Sequence, residues 1–352
     1  MSAPAIPRGP AEVTPRWLST VLGVDVEDVR VTPIGTGQTG ATYRLAVAYG
    51  RAPSELPATF AIKLSSQDEA VRDRVALGYR SEHAFYTGVA DAVGVPIPRH
   101  YHCAVSDDGG DFVLLLADLA PAVQGDQIGG CTTAEAELAV RALAGLHGPT
   151  WCDAKWPTFP GLVMSTADAD AMKGMGDVAA IAAQMTLDRL GDRMSAQDRA
   201  TVTETMAAVT PWLVATQDRF ALLHGDYRLD NVLFDPDRSS ITVVDWQTLG
   251  VGLPTRDLAY FTGTSLLPAA RLAADHDLVA AYHSELAAYG VEDYDLDTCL
   301  RDYRIGMVQV PLIAVLGCAF SVATERGDDM MLVMLERGCQ AIRELDSLAL
   351  VG

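Results

Sequence analysis

The chain has 352 residues, 49 % of them apolar and 20 % charged, the balance of a folded globular protein and not of a disordered or fibrous one. Its 26 basic and 46 acidic residues leave a net charge of −20, which argues against nucleic acid and anionic membranes as partners. At roughly 100 to 200 residues per domain, the length predicts two domains or two lobes.

The opening MSAPAIPRGPAEV has no apolar run behind a basic start and does not read as a signal peptide. Residues 26–34 (VEDVRVTPI) and 41–49 (ATYRLAVAY) are rich in strand-forming types, and GTGQTG lies between them. Residues 58–64 form a third predicted strand after a turn-rich segment. A polar helical run follows over 66–93, then strands over 99–105 and 112–116 separated by SDDGG. Beyond Asp118 the pattern turns helical. Thr132 and Glu135 make a capping box for a helix that ends at His147, before Gly148 and Pro149. Ser195 with Asp198 starts another helix, running to about residue 216. From Pro268 onward the pattern is mostly helical, and the uncharged stretch 306–323 is expected to be a buried helix and not a membrane span. No internal repeat is present. The expected class is α+β, with a small β-rich lobe carrying one helix over residues 1–116 and a larger, mainly helical lobe over 117–352.

The six cysteines are far apart and show no CxxC spacing, so neither a zinc site nor a disulfide framework is indicated, and reduced thiols in a cytoplasm are expected.

Gly35, Gly37 and Gly40 satisfy GxGxxG, a pattern that an ordinary glycine-rich turn shares. As a binding loop it serves two mechanisms: a dinucleotide fingerprint needs a helix straight afterwards, and a loop covering nucleotide phosphates needs a second strand. The strand pattern after Gly40 favours the second. Only three of the 26 basic residues are lysines, and one, Lys63, stands inside the apolar run TFAIKL, where a compact ammonium is not interchangeable with a guanidinium. Val71, Val75, Gly78, Glu82, Phe85 and Val89 step by 4, 3, 4, 3 and 4 along one helix face. Glu82 is the one charge on that stripe. A buried carboxylate calls for a cation, and Lys63 is the natural partner; Glu82 snorkelling at the stripe edge, or Glu69 as partner, are the alternatives.

The densest signal is LLHGDYRLDNVLFDPDRSSITVVDWQ, residues 222–247. Asp226, Asn231 five residues later, and Asp245 after a β-branched run supply hard oxygen donors for Mg²⁺ and one carboxylate to orient a hydroxyl. HGDYRLDN followed by VVDWQ resembles the catalytic loop and metal-binding signature of the aminoglycoside phosphotransferase and choline kinase-like family, on the protein-kinase-like fold. The resemblance runs over about residues 34–261. It implies that Asp226 is the catalytic aspartate, that Asn231 and Asp245 hold Mg²⁺, and that Lys63 and Glu82 form the ion pair over the phosphates of ATP or GTP. It also implies that residues 114–119 meet the nucleotide base, that His224 shapes the loop, and that Asp257 in PTRDLAYF braces it. The family often carries an acidic residue where this chain has Ala117, which leaves the choice between ATP and GTP open.

Arg228 is read equally as a phosphate contact or a structural arginine, and Trp151, Trp246 and Tyr260 as core. Only eleven residues separate Asp245 from Asp257 and no APE follows, so a protein acceptor is not expected. A small hydroxylated acceptor, aminoglycoside-, amino sugar- or choline-like, is. Three rivals remain. A catalytically inactive nucleotide-binding regulator would share the fold. A dinucleotide oxidoreductase would need Glu55, in a Pro-rich loop, as its ribose partner. A metal hydrolase using His224, Asp226 and Asp245 would leave Lys63 and Glu82 without a purpose.

Overall fold

Alternation along TFAIKLS decides how the first half of the chain folds: Phe60, Ile62 and Leu64 are fully buried on one side, and Ala61 and Lys63 emerge on the other. The computed structural model describes residues 4–34, 40–51, 55–163, 169–215 and 217–351. By contacts the chain divides into two units, 1–92 with 97–121 and 245–248, and 93–96 with 122–244 and 249–352.

In the first unit, α1 (Pro15–Leu22) begins at Thr14, whose hydroxyl accepts the Trp17 amide, has Pro15 at its first position, and stops at Gly23 in the left-handed region. It precedes a five-stranded antiparallel sheet of β1 (Val26–Pro33), β2 (Gly40–Tyr49), β3 (Thr59–Ser65), β4 (His100–Val105) and β5 (Phe112–Ala117), in the order β1-β2-β3-β5-β4. The strands are those expected, each to within two residues. Leu45, Val47, Phe60, Ile62, Leu64, Val113 and Leu115 close one face against Trp17 and Leu18. At about 1.5–3 kcal/mol per fully buried large apolar side chain, this face holds the unit together. The opposite face carries Thr42 across from Lys63 and Arg44 across from Ala61, with Leu114 and Leu116 on the far side of β3. Here α2 (Glu69–Gly88) covers the β4–β5 side, where Tyr79 stacks on Phe112 with ring centres 5.1 Å apart. The helix is shorter than the predicted 66–93, because Gly88 ends it before a separate 3-10 turn at Ala90–Ala92.

The second unit is mainly helical. β6 (Val123–Gln124), β8 (Val232–Phe234) and β9 (Ile241–Val243) form one small sheet, and β7 (Ala221–Leu223) pairs with β10 (Gly250–Gly252). The helices are α3 (Thr133–His147), α4 (Ala169–Leu190), α5 (Ala196–Ala207), α6 (Val209–Ala215), α7 (Thr255–Ser265), α8 (Pro268–Ala288), α9 (Leu296–Gly306), α10 (Gln309–Phe320) and α11 (Glu325–Glu344). Both bonds of the predicted capping box are made at Thr132 and Glu135. Segment 93–96 crosses α3 so closely that a Cβ on Gly145 would lie 2.7 Å from the Gly94 carbonyl carbon, and the Gly94 amide donates to Gly145 O at 2.8 Å. The single helix expected from Ser195 is two, broken at Ala208. α4 has no counterpart in the sequence reading.

Every residue of α7 is buried. The predicted buried helix over 306–323 is α10, with Pro311 in its first turn. Residues Leu296–Phe320 are long and apolar enough to cross a membrane by length and composition, and 67 % of their most apolar window is buried within the fold. All six cysteines are free.

Candidate functional site

The predicted site residues fall into two groups, one in each unit. In the first, β3 carries Lys63 on the sheet face that α2 partly covers, and the apolar stripe of α2 delivers Glu82, 1 % exposed, to it. Lys63 Nζ lies 2.8 Å from Glu82 Oε2 and 3.1 Å from Asp245 Oδ1. Burial works against the ammonium, but Asp245 and Glu82 outweigh it and raise the Lys63 pKa above its ordinary value. Burial likewise raises the Glu82 carboxyl, with Lys63 pulling in the opposite direction.

Residues 245–248 are built onto α2. Trp246 stacks on Phe85 with centroids 3.6 Å apart, Ser81 Oγ donates to Trp246 O at 3.1 Å, and the Trp246 amide and Gln247 Nε2 donate to Glu82 at 3.4 Å. Trp246 is core, as read. Asp245 has φ +68°, in the left-handed region, with about a third of its side chain exposed. Gly40 opens β2, while Gly35 and Gly37 lie outside the described residues.

The second group is a loop between β7 and β8. Gly225, φ +80°, turns the chain, and Asp257 in the first turn of α7 accepts the His224 amide at 2.6 Å and the Gly225 amide at 3.1 Å. The His224 ring is buried: Nδ1 accepts the Asp226 amide at 3.3 Å, which leaves Nε2–H to donate to Val244 O at 3.1 Å. Behind Asp257, His147 Nε2 stands 3.5 Å from Oδ2, and His147 Nδ1 meets the Tyr282 hydroxyl at 2.7 Å.

Both oxygens of Asp226 are engaged. Oδ1 accepts Tyr260 OH at 2.9 Å and Arg228 Nε at 3.0 Å; Oδ2 accepts Arg228 Nε at 3.1 Å and Asn231 Nδ2 at 3.1 Å. Asn231 Nδ2 also donates to Asp226 O at 2.8 Å, so the five-residue spacing folds back on itself through a 3-10 turn at Leu229–Asn231. Arg228 continues to Asp230 Oδ2 at 2.7 Å. This ties Arg228 to carboxylates. Burial, reinforced by Asp226, holds the Tyr260 phenol well above its usual pKa, which keeps it a donor. The sequence reading placed Tyr260 in the core. Its position three residues after Asp257 on one helix was the available signal, since that spacing puts both on the same face.

Among the described residues no three or more His, Cys, Asp or Glu side chains cluster to hold a metal. A carboxylate and an amide oxygen are the hard donors with which Mg²⁺ sites shared with nucleotide phosphates are made, so the donor chemistry of Asp245 and Asn231 fits that ion.

Residues 30–294 match the phosphotransferase enzyme family, APH. Among solved structures, a choline kinase from Cryptosporidium parvum aligns with a TM-score of 0.59 at 9 % identity, over 92 % of this chain and 91 % of that one. A GDP complex of aminoglycoside 2'-phosphotransferase-IIIa gives 0.52 at 15 %, over 92 % and 96 %. A thermostable mutant of aminoglycoside phosphotransferase APH(4)-Ia, in ternary complex with ADP and hygromycin B, gives 0.51 at 15 %, over 94 % and 97 %. At these identities the likeness is one of fold. Curated relatives match in short stretches: 67 residues are 37 % identical to acyl-CoA dehydrogenase family member 10 of Mus musculus, and 46 residues are 46 % identical to family member 11 of Gallus gallus. Each stretch spans about 6 % of the relative's length. With three quarters of its length matched and the two-lobed α+β kinase-like fold in common, this chain belongs to the phosphotransferase enzyme family.

Proposed function

We propose that the protein transfers the γ-phosphoryl group of ATP or GTP to a hydroxyl of a small molecule. The observation that carries this reading is Lys63, one of three lysines in the chain, buried between Glu82 and Asp245. A cation so held is a fixed donor for phosphate oxygens, and a hydrolase or a dinucleotide oxidoreductase gives it no purpose. Asp226 accepts the hydrogen bond of the acceptor hydroxyl and takes its proton, with Tyr260, Arg228 and Asn231 fixing the direction of its lone pairs. Asp257 and His224 set the loop that carries it. Asp245 and Asn231, through Oδ1, would hold Mg²⁺, which when bound neutralises the β- and γ-phosphate oxygens. Family membership and the absence of an APE-type activation segment support a small acceptor, aminoglycoside-, amino sugar- or choline-like. The acids Glu292, Asp293, Asp295 and Asp297 do not decide among these: all are exposed, and Asp295 caps α9 by accepting the Thr298 amide.

Calorimetry with ATP and GTP, with and without Mg²⁺, on wild type and Asp245→Asn tests the reading before any acceptor is known. Metal-dependent binding that weakens in the variant is expected. No nucleotide binding under any condition would sink the proposal and favour a degenerate member of the family. Once an acceptor is found, Tyr260→Phe is expected to lower kcat about tenfold, the worth of one hydrogen bond to a charged group, with nucleotide KM unchanged. Steady-state kinetics with an unchanged kcat would remove Tyr260 from the machinery.

A further inference from the structure

The sheet face that presents Lys63 carries a second cation. Arg44 and Thr42 alternate onto the same face of β2, and their partners on β3, Ala61 and Lys63, set Arg44 two residues from Lys63, roughly 7 Å along the strand. Ala61 in turn pairs with Leu116 of β5. Arg44 Nε and Nη2 meet Asp118 Oδ2 and Oδ1 at 2.8 and 3.2 Å. Asp118 follows the end of β5, so this fork bridges from β2 to the segment after β5, across β3 at the level of Ala61.

The two partners are held differently. The Asp118 side chain is 7 % exposed and its Oδ1 also accepts the Ala120 amide at 3.2 Å; the Arg44 side chain is 41 % exposed. A fixed carboxylate therefore aims a half-exposed guanidinium, with Nη1 outside the fork. Beneath it Ala61 contributes only a methyl group. The face thus offers, in a line, an ammonium for phosphates, a shallow floor, and a planar cation that can stack on a heteroaromatic ring or donate to it. Two strand residues are the span of a ribose between phosphate and base.

We infer that Arg44, oriented by Asp118, seats the purine base of the bound nucleotide at the outer end of this face. The inference rests on the nucleotide reading of Lys63 and adds to it a specificity-determining residue outside the phosphate-binding group. Arg44 and Asp118 should contribute to the affinity for the nucleoside and not to that for the phosphate chain.

The test is calorimetry with ATP, GTP and inorganic tripolyphosphate, all with Mg²⁺, on wild type, Arg44→Met and Asp118→Asn. Wild type is expected to bind at least one nucleotide more tightly than tripolyphosphate. Both variants should weaken that nucleotide about tenfold or more while tripolyphosphate affinity stays as in wild type. Nucleotide affinity unchanged in Arg44→Met, an equal loss for tripolyphosphate, or a wild type that does not distinguish nucleotide from tripolyphosphate would each overturn the inference and leave the phosphate site standing. A wild type that binds none of the three removes the nucleotide reading itself. If Arg44→Met fails to fold, Arg44→Lys, which keeps the charge and loses the fork, is expected to show the same selective loss.

Discussion

Asp226→Ala is expected to reduce turnover by about 10² to 10⁴ while nucleotide affinity stays near wild type. The carboxylate is tied to its own loop and to α7 by Tyr260, Arg228 and Asn231, and Lys63 belongs to a separate group of contacts, so its loss should reach the acceptor and not the nucleotide. Release of ADP or GDP, read beside calorimetry on the same preparation, separates the two effects. Full activity in this variant would exclude Asp226 as the group that receives the proton. A parallel loss of nucleotide binding would mean that the loop had collapsed once Tyr260, Arg228 and Asn231 lost the carboxylate they share.

Lys63→Met should affect both stability and function. Glu82 is almost wholly buried, and removing its cation leaves a desolvated carboxylate, which typically costs about 3–5 kcal/mol. Urea unfolding should show a lowered midpoint, and nucleotide use should fall by orders of magnitude. The double variant Lys63→Met/Glu82→Leu separates the two losses. Two apolar side chains of similar volume in place of a buried ion pair are often neutral for stability, so the midpoint should recover while nucleotide binding does not. Recovery of both would make the pair a packing device, and recovery of neither would point to Asp245, the other carboxylate on Lys63.

Local pattern carried much of this into view before any coordinates. The six residues from Asp226 to Asn231 close on themselves, so their spacing alone encodes the contact. Glu82 stood out because helical periodicity placed one charge on an apolar face. What escaped the sequence depends on distance along the chain or on backbone conformation. Asp245 reaches Lys63 across 182 residues, and the sequence predicts for it only a metal-ligand role. An aromatic on a buried helix ordinarily is core, which is all that the pattern predicts for Tyr260; what differs is its hydroxyl, which donates to Asp226. α4 went unread because its solvent side mixes Val178, Ile181 and Met185 with Lys173, Asp177 and Gln184, which blurs the contrast between its faces, and the glycines at 174 and 176 weaken its helix propensity. α5 and α6 read as one helix by their apolar pattern, but Pro211, in the first turn of α6, is the signal that marks the break at Ala208, since a proline is tolerated in a first turn and not in a helix interior.

The backbone at Asp245 constrains how this site can change. At φ +68° the residue must tolerate a left-handed conformation, which glycine, asparagine and aspartate adopt at little cost and β-branched or longer residues do not. Position 245 therefore answers to two independent filters, one chemical and one conformational, and Asp passes both. Asp245→Glu, conservative in charge, meets only the first, and Asp245→Asn meets only the second. Asparagine or glycine at 245 removes the carboxylate with the turn preserved. A related chain with valine there has rebuilt the turn as well as lost the carboxylate that meets Lys63. Under the proposed function, the residue at this one position distinguishes a chain that has dropped the carboxylate alone from one whose turn has been refashioned.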